Sequence, residues 1–202
     1  MRLAGMRGMS PRAARAIEGW LSPAVPWAIE AVQIAHDRLN VSGSLVEIGV
    51  HHGKFFTFLD QIRRDDESAH AIDLFGDQKL NVDKSGKGSA AAFLTNLRNH
   101  SRAPDATRLW QGDSTRLVHE PHVRSAVAPC RLFSLDGGHT AEHTASDLRF
   151  AEQVVVNGGV VFVDDILNPE WPGVINGVAK CAADFLDPLD PLDPLVLSSR
   201  TR

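Results

Sequence analysis

Cysteine is nearly absent: the 202 residues contain two, Cys130 and Cys181. A disulfide framework is therefore neither needed nor indicated, and both residues read as buried thiols in a reducing compartment. A basic surplus is missing too, since 21 Lys and Arg stand against 25 Asp and Glu, for a formal charge of -4. That removes the electrostatic footprint of a nucleic-acid binder and leaves small molecules as the expected partners. No apolar run approaches the ~20 residues needed to span a bilayer. The basic stretch from Met1 to Arg15 lacks the apolar segment of a signal peptide. The expected location is the cytoplasm.

The length suits one α/β domain with a substantial core and is short for two. From Ser10 through Leu39 apolar residues recur at helical spacing, with Pro23 and Pro26 dividing the pattern into two helices. Strand-like runs come next at 44–48, 70–74, 107–111, 131–135 and 159–163, with helical patterns between them. Such alternation predicts a Rossmann-like, mostly parallel sheet covered by helices on both faces. The expected organisation is a helical extension over 1–43, the α/β domain over 44–186 and a Pro-rich tail over 187–202. The repeat Asp187-Pro188-Leu189-Asp190-Pro191-Leu192-Asp193-Pro194-Leu195 can be neither helix nor central strand, so the tail is expected to be extended or disordered. The fifth strand is then left at the sheet edge, where a second copy of the chain could cover it.

Leu45-Val46-Glu47-Ile48-Gly49-Val50-His51-His52-Gly53 is the most informative stretch. A strand breaks into a tight turn there, where Gly49 permits close approach and Gly53 lets the next helix sit against the sheet. The pattern Glu-x-Gly-x-x-x-Gly is not the Gly-x-Gly-x-x-Gly of dinucleotide binders. The next run ends in Asp73, and the third is followed by Gln111-Gly112-Asp113-Ser114, which also reads as a helix N-cap. The fourth ends in Asp136-Gly137-Gly138-His139 and the fifth in Asp164-Asp165. Strand tips of an open parallel sheet face the ligand crevice. Three carboxylates gathered there repel one another unless a cation joins them, and a hard divalent ion such as Mg2+ suits oxygen donors. His139 and His143, four apart, leave a zinc site with Asp136 as a competing reading. The loop from Phe75 to Gly88 is long enough to be a lid, and Lys79, Lys84 and Lys87 could orient an anionic substrate. Trp110 reads as core packing and Trp171 as a wall of a substrate pocket.

The first two motifs resemble those of class I S-adenosylmethionine-dependent methyltransferases. The resemblance implies that the turn holding Glu47, Gly49 and Gly53 carries the methionine end of the cofactor, and that Asp73 accepts from its ribose hydroxyls. It also implies that Asp113 and Ser114 meet the adenine. Asp136-x-x-His139 followed by Gly158-Gly159-x-x-x-x-Asp164-Asp165 is similar to the metal-dependent small-molecule O-methyltransferases of the macrocin O-methyltransferase and cephalosporin hydroxylase-like group. That likeness implies Mg2+ on Asp136, Asp164 and Asp165, His139 as base, Asp136 also facing the cofactor, and a small hydroxyl acceptor, with sugars preferred. Asp164 stands where that group often has Glu. The resemblance covers about 26–185 and stops before the antiparallel hairpin that usually ends such a domain. Two other readings stay open: a metal-independent N- or C-methyltransferase, and a silent scaffold that pairs with an active enzyme.

Overall fold

Residues 16–184 and 195–199 are described by a computed structural model of the chain. After a short lead-in come α1 (Val25–Leu39), β1 (Ser44–Ile48), α2 (Lys54–Gln61), β2 (Ala69–Asp73), α3 (Ala90–His100) and β3 (Thr107–Gln111). Next in the chain are α4 (Ser114–Leu117), α5 (Pro121–Val127), β4 (Cys130–Leu135), α6 (Ala141–Val154), β5 (Val155–Asp164), α7 (Pro172–Asp184) and β6 (Leu195–Ser199). The six strands form one sheet in the order β3-β2-β1-β4-β5-β6, with every pair parallel. The order reverses between β1 and β4, and that switch point is where an open α/β sheet takes its ligand.

Strand alternation divides the core into two layers. Leu45, Ala71, Leu132, Val160 and Phe162 pack on one face with Val25, Ile29 and Val32 of α1, Phe56 and Leu59 of α2, and Phe93 and Leu97 of α3. Val46, Ile72, Phe133, Val161 and Val163 pack on the other with Val123 of α5, Phe150 and Val154 of α6, and Val174 of α7. β1 and β4 are buried along their whole length, as central strands covered on both faces must be. Pro26 does not interrupt α1; it lies in the first turn, where no backbone N–H is needed. Of the expected earlier helix, 10–15 lie outside the described residues; in the remainder only Ala16 is helical, and 17–22 run as bends and irregular chain, so Ile17 and Trp20 do not sit on a helix.

The sheet differs from expectation at its far edge. Leu195–Ser199 pairs in parallel with β5, Leu195 opposite Val160 through Ser199 opposite Asp164. The last proline is Pro194, so every N–H from Leu195 onward can join a ladder. The edge of β5 is therefore covered from within the chain; residues 185–194 and 200–202 of the expected tail lie outside the described ones. There is no antiparallel hairpin among the described residues. Nor is any described helix long and apolar enough to cross a membrane.

At the opposite end of the strands from the crevice, Arg131 is fully buried at the start of β4. Its Nε and Nη2 donate to the two Glu67 carboxylate oxygens at 2.7 and 2.9 Å, Nη2 also to the Ile62 carbonyl at 2.8 Å, and Nη1 meets His36 Nδ1 at 3.1 Å. A guanidinium can only donate, so Nδ1 accepts. Burial, with Arg131 alongside, pushes the His36 pKa down to about 4 and keeps its ring neutral. Removing one member strands the other's charge. Arg131→Met should cost about 3–5 kcal/mol in the urea unfolding free energy, and adding Glu67→Met should return most of that loss.

Candidate functional site

A cavity of about 670 Å3 opens over the switch point, lined by the tips of β1, β2 and β4, the strap Gly19–Pro23 and the loop after β2. Gly49 sets its floor. The residue has φ +87°, and any Cβ there would be driven into the Asp136 backbone carbonyl. β1 and β4 meet tightly at this point, with Asp136 N–H donating to the Ile48 carbonyl at 2.9 Å, while on the other side of β1 the Gly49 N–H donates to the Ile72 carbonyl of β2, also at 2.9 Å. Gly53, φ +85°, caps α2 where Phe93 leaves no room for a Cβ.

Asp73 lines the cavity and accepts from the His51 N–H at 2.7 Å and from the Phe75 N–H. Burial lifts its pKa against the pull of these bonds. Its carboxylate thus fastens two loops to the crevice wall. Glu47 lies beneath the turn: it is 2% exposed, and it lines a small neighbouring recess with Asp164, Asp136 and Trp20. Burial, then Asp73 and Asp164, hold its pKa well above the usual carboxylate range.

Asp113 and Ser114 both reach the cavity but have different work. Asp113 is the N-cap of α4, its Oδ1 accepting from Thr115 N–H at 2.9 Å and Thr115 Oγ1 at 2.7 Å. Ser114 is the first residue inside the helix, and its hydroxyl lies 3.1 Å from Asp147 Oδ2. Asp147, on α6, is completely buried, and its Oδ1 has no hydrogen-bond partner. Burial pushes its pKa up to about 7, Asp113 adding to the effect.

The acidic strand tips converge in part. Asp136, His139 and Asp165 each present a ligand atom, and all lie within 4.8 Å of one another. Asp164 is outside this trio, because adjacent residues at a strand end point to opposite sides; it lines the recess beside Glu47. Asp165 stands in left-handed backbone, φ +56°, and Asn168 Nδ2 donates to its Oδ1 at 2.9 Å. Of the expected trio, Asp136 and Asp165 thus converge, with His139 beside them, while Asp164 stands apart. His143 is not in the cluster, which removes the geometry of a zinc site shared with His139; it bonds Thr140 Oγ1 at 2.8 Å.

His139 is gripped on three sides. Nδ1 is 2.8 Å from Asp83 Oδ2, Nε2 is 3.2 Å from Asp165 Oδ2, and the ring stacks on Trp171 at 4.4 Å between centroids. The His139 backbone N–H also donates to Asp83 at 2.7 Å. Burial alone would lower the imidazole pKa, but the bonds to Asp165 and Asp83 outweigh it and raise it. For Asp83, burial works upward while donations from His139 and Ser85 bring its carboxyl down to about 2. Asp83 had no signal in the sequence: it sits mid-loop, at no strand tip. The loop does line the cavity as expected, through Asn81, Val82, Asp83 and Ser85, whereas Lys79, Lys84 and Lys87 are exposed and do not line it. Trp171 lines the crevice, and Trp110 packs away from it, donating to His70 Nδ1 at 3.2 Å.

A family described as methyltransferase domain matches residues 46–166, the span that carries every one of these strand tips. Among solved structures, the chain is 24% identical to the O-methyltransferase NovP, with a TM-score of 0.66, covering 83% of this chain and 75% of that one. CalS11, a calicheamicin methyltransferase, is 18% identical with a TM-score of 0.61, covering 83% and 74%. TomG, an O-methyltransferase from Streptomyces achromogenes involved in tomaymycin synthesis and solved with S-adenosylmethionine, is 14% identical with a TM-score of 0.63, covering 92% and 82%. At these identities the likeness is one of fold. Among curated proteins no sequence matches.

Asp147 gives the site a measurable pH signature. Its folded pKa, about 7, lies above the ordinary 3.8, so the native state holds the extra proton. Stability from this group is complete below about pH 4 and is lost as pH rises toward 7. Asp147→Asn should match the wild type in urea unfolding near pH 4 and exceed it by on the order of a few kcal/mol at pH 8.

Proposed function

The chain belongs to the methyltransferase-domain family and has the fold of the class I S-adenosylmethionine-dependent enzymes, and from that premise we propose an O-methyltransferase acting on a hydroxyl of a small metabolite with the help of Mg2+. One observation carries the reading: Asp136, His139 and Asp165 converge within 4.8 Å beside the Gly49 turn. In this reading the turn receives the methionine end of the cofactor, Asp73 its ribose and the Asp113–Ser114 corner its adenine. The cavity volume, about 670 Å3, falls within the ~300–1,000 Å3 typical of small-molecule sites.

The donor set fits a divalent ion. Two carboxylates from adjacent strands offer hard oxygens, and Asp136 and Asp165 would hold it, with Asp164 apart. Such an ion would lower the pKa of a substrate hydroxyl and compete with His139 for the Asp165 carboxylate. His139 would take the hydroxyl proton at Nε2, the nitrogen opposite its bond to Asp83, once the acceptor hydroxyl displaces the Asp165 carboxylate that Nε2 now meets at 3.2 Å. Asp83 fixes the ring through both its backbone and its side chain. Trp171 backs the ring and makes one wall for the acceptor. The remaining contribution is positioning, since the cofactor brings its own leaving group. A sugar hydroxyl is the preferred acceptor, which the likeness to CalS11, a TDP-rhamnose 3'-O-methyltransferase, supports.

His139→Ala should lower kcat by about 10²–10⁴ while the affinity for S-adenosylhomocysteine, read by calorimetry, stays within about twofold. Asp136→Asn with Asp165→Asn should abolish turnover, and a chelator should do the same to the wild type until Mg2+ is returned. Turnover that persists under both treatments would assign the chain to metal-independent transfer, and no binding heat with S-adenosylhomocysteine would leave the scaffold reading.

A further inference from the structure

Outside the acidic cluster, a second group of ligating side chains stands at the crevice mouth. Glu18, on the lead-in before α1, and the consecutive His51 and His52, in the turn after β1, bring one ligand atom each to within 4.8 Å of one another. His52 Nδ1 is 3.4 Å from Glu18 Oε2. The two imidazoles stack at 4.0 Å between centroids, and Trp20 leans over His51 at 5.7 Å. His51 lies beside the Glu18 backbone, and its buried Nδ1 makes no hydrogen bond of good geometry.

None of this is used by the transfer chemistry above. The donor set also differs in kind from that of Asp136 and Asp165. Two imidazoles and one carboxylate suit a borderline ion such as Zn2+, whereas Mg2+ prefers oxygen throughout. Around a tetrahedral zinc, ligand atoms lie about 3.3 Å apart, with bonds of about 2.0–2.2 Å. The three side chains are close enough to reach that by turning about their own bonds, Glu18 being exposed and free to swing.

We propose that Glu18, His51 and His52 form a zinc-type site that pins the segment before α1 onto the turn carrying the cofactor crevice. The pin has a place to act. Gly19 and Trp20 line the crevice next to His51 and Lys54, and Lys54 Nζ already donates to the Gly19 carbonyl at 2.7 Å. The His51 N–H is bound to Asp73, and Asn96 Nδ2 donates to the His52 carbonyl at 2.9 Å, so one half of the site is rigidly mounted. Glu18 is the exposed half, and an ion bound there would fasten strap to turn.

The test is a calorimetric titration of the full chain with ZnCl2 in a large excess of Mg2+, so that the oxygen-donor cluster does not compete. One Zn2+ per chain is expected. Glu18→Gln should weaken it at least tenfold and His52→Ala more, while Asp165→Asn leaves it unchanged. Glu18→Gln alters only an exposed side chain, so it tests the site even if His52→Ala fails to fold. Hydrogen exchange of residues 16–23 should slow when Zn2+ is added. No zinc uptake, uptake that survives both Glu18→Gln and His52→Ala, or uptake lost in Asp165→Asn would overturn the proposal.

Discussion

The contact between the Gly49 backbone and the Asp136 carbonyl is the constraint on which the rest of the structure depends. It closes the seam between the two central strands at the point where the sheet reverses its order. A side chain at Gly49 would wedge the strands apart, and its φ of +87° already disfavours one. Because the seam is tight, the loops after β1 and β4 must diverge in opposite directions. The space they leave is the crevice. The same seam fixes Asp136 beside the turn, so the groups proposed to face the cofactor and the ion belong to one strand tip.

Around that crevice the chain concentrates carboxyl groups to a degree that folding alone would not favour. Burial makes ionisation expensive at Glu47 and Asp147 and raises the pKa of each, which favours their protonated forms. Asp73 and Asp83 are stabilised by backbone N–H groups that converge on them. Asp165 is matched by His139. The acidic residues thus divide into buried groups of raised pKa, loop fasteners and a pair, Asp136 and Asp165, next to a histidine. That division accounts for how a chain with so many aspartates at strand ends folds, and it leaves two of them, Asp136 and Asp165, as candidates for the proposed ion.

Much of the fold was legible because the strands are short apolar runs broken by glycine and aspartate, which sequence shows directly. All five expected strands are present, and the strand tips carry Asp73, Asp113, Asp136 and Asp165 to the crevice. What could not be read were contacts made across the chain. Asp83 reaches His139 over 56 residues of sequence, with only a loop between two strands to hint at it. Asp147 sits on a helix, where an acidic residue ordinarily faces water. Asp164 and Asp165 were indistinguishable as neighbours until the strand ended and the backbone turned left-handed at the second of them. The sixth strand was hidden by the Asp-Pro-Leu repeat before it, whose prolines mask a run that is itself free to pair.

The central claim is that one crevice holds both an S-adenosyl cofactor and a divalent ion at Asp136 and Asp165. It is tested most directly by a crystal structure grown with S-adenosylhomocysteine and Mn2+, with anomalous data collected at the manganese edge. The account predicts a single strong peak between the Asp136 and Asp165 carboxylates, with the adenine beside Asp113 and the ribose on Asp73. A crevice filled by cofactor with no anomalous peak at those carboxylates, or a peak beside Asp164 instead, would contradict it.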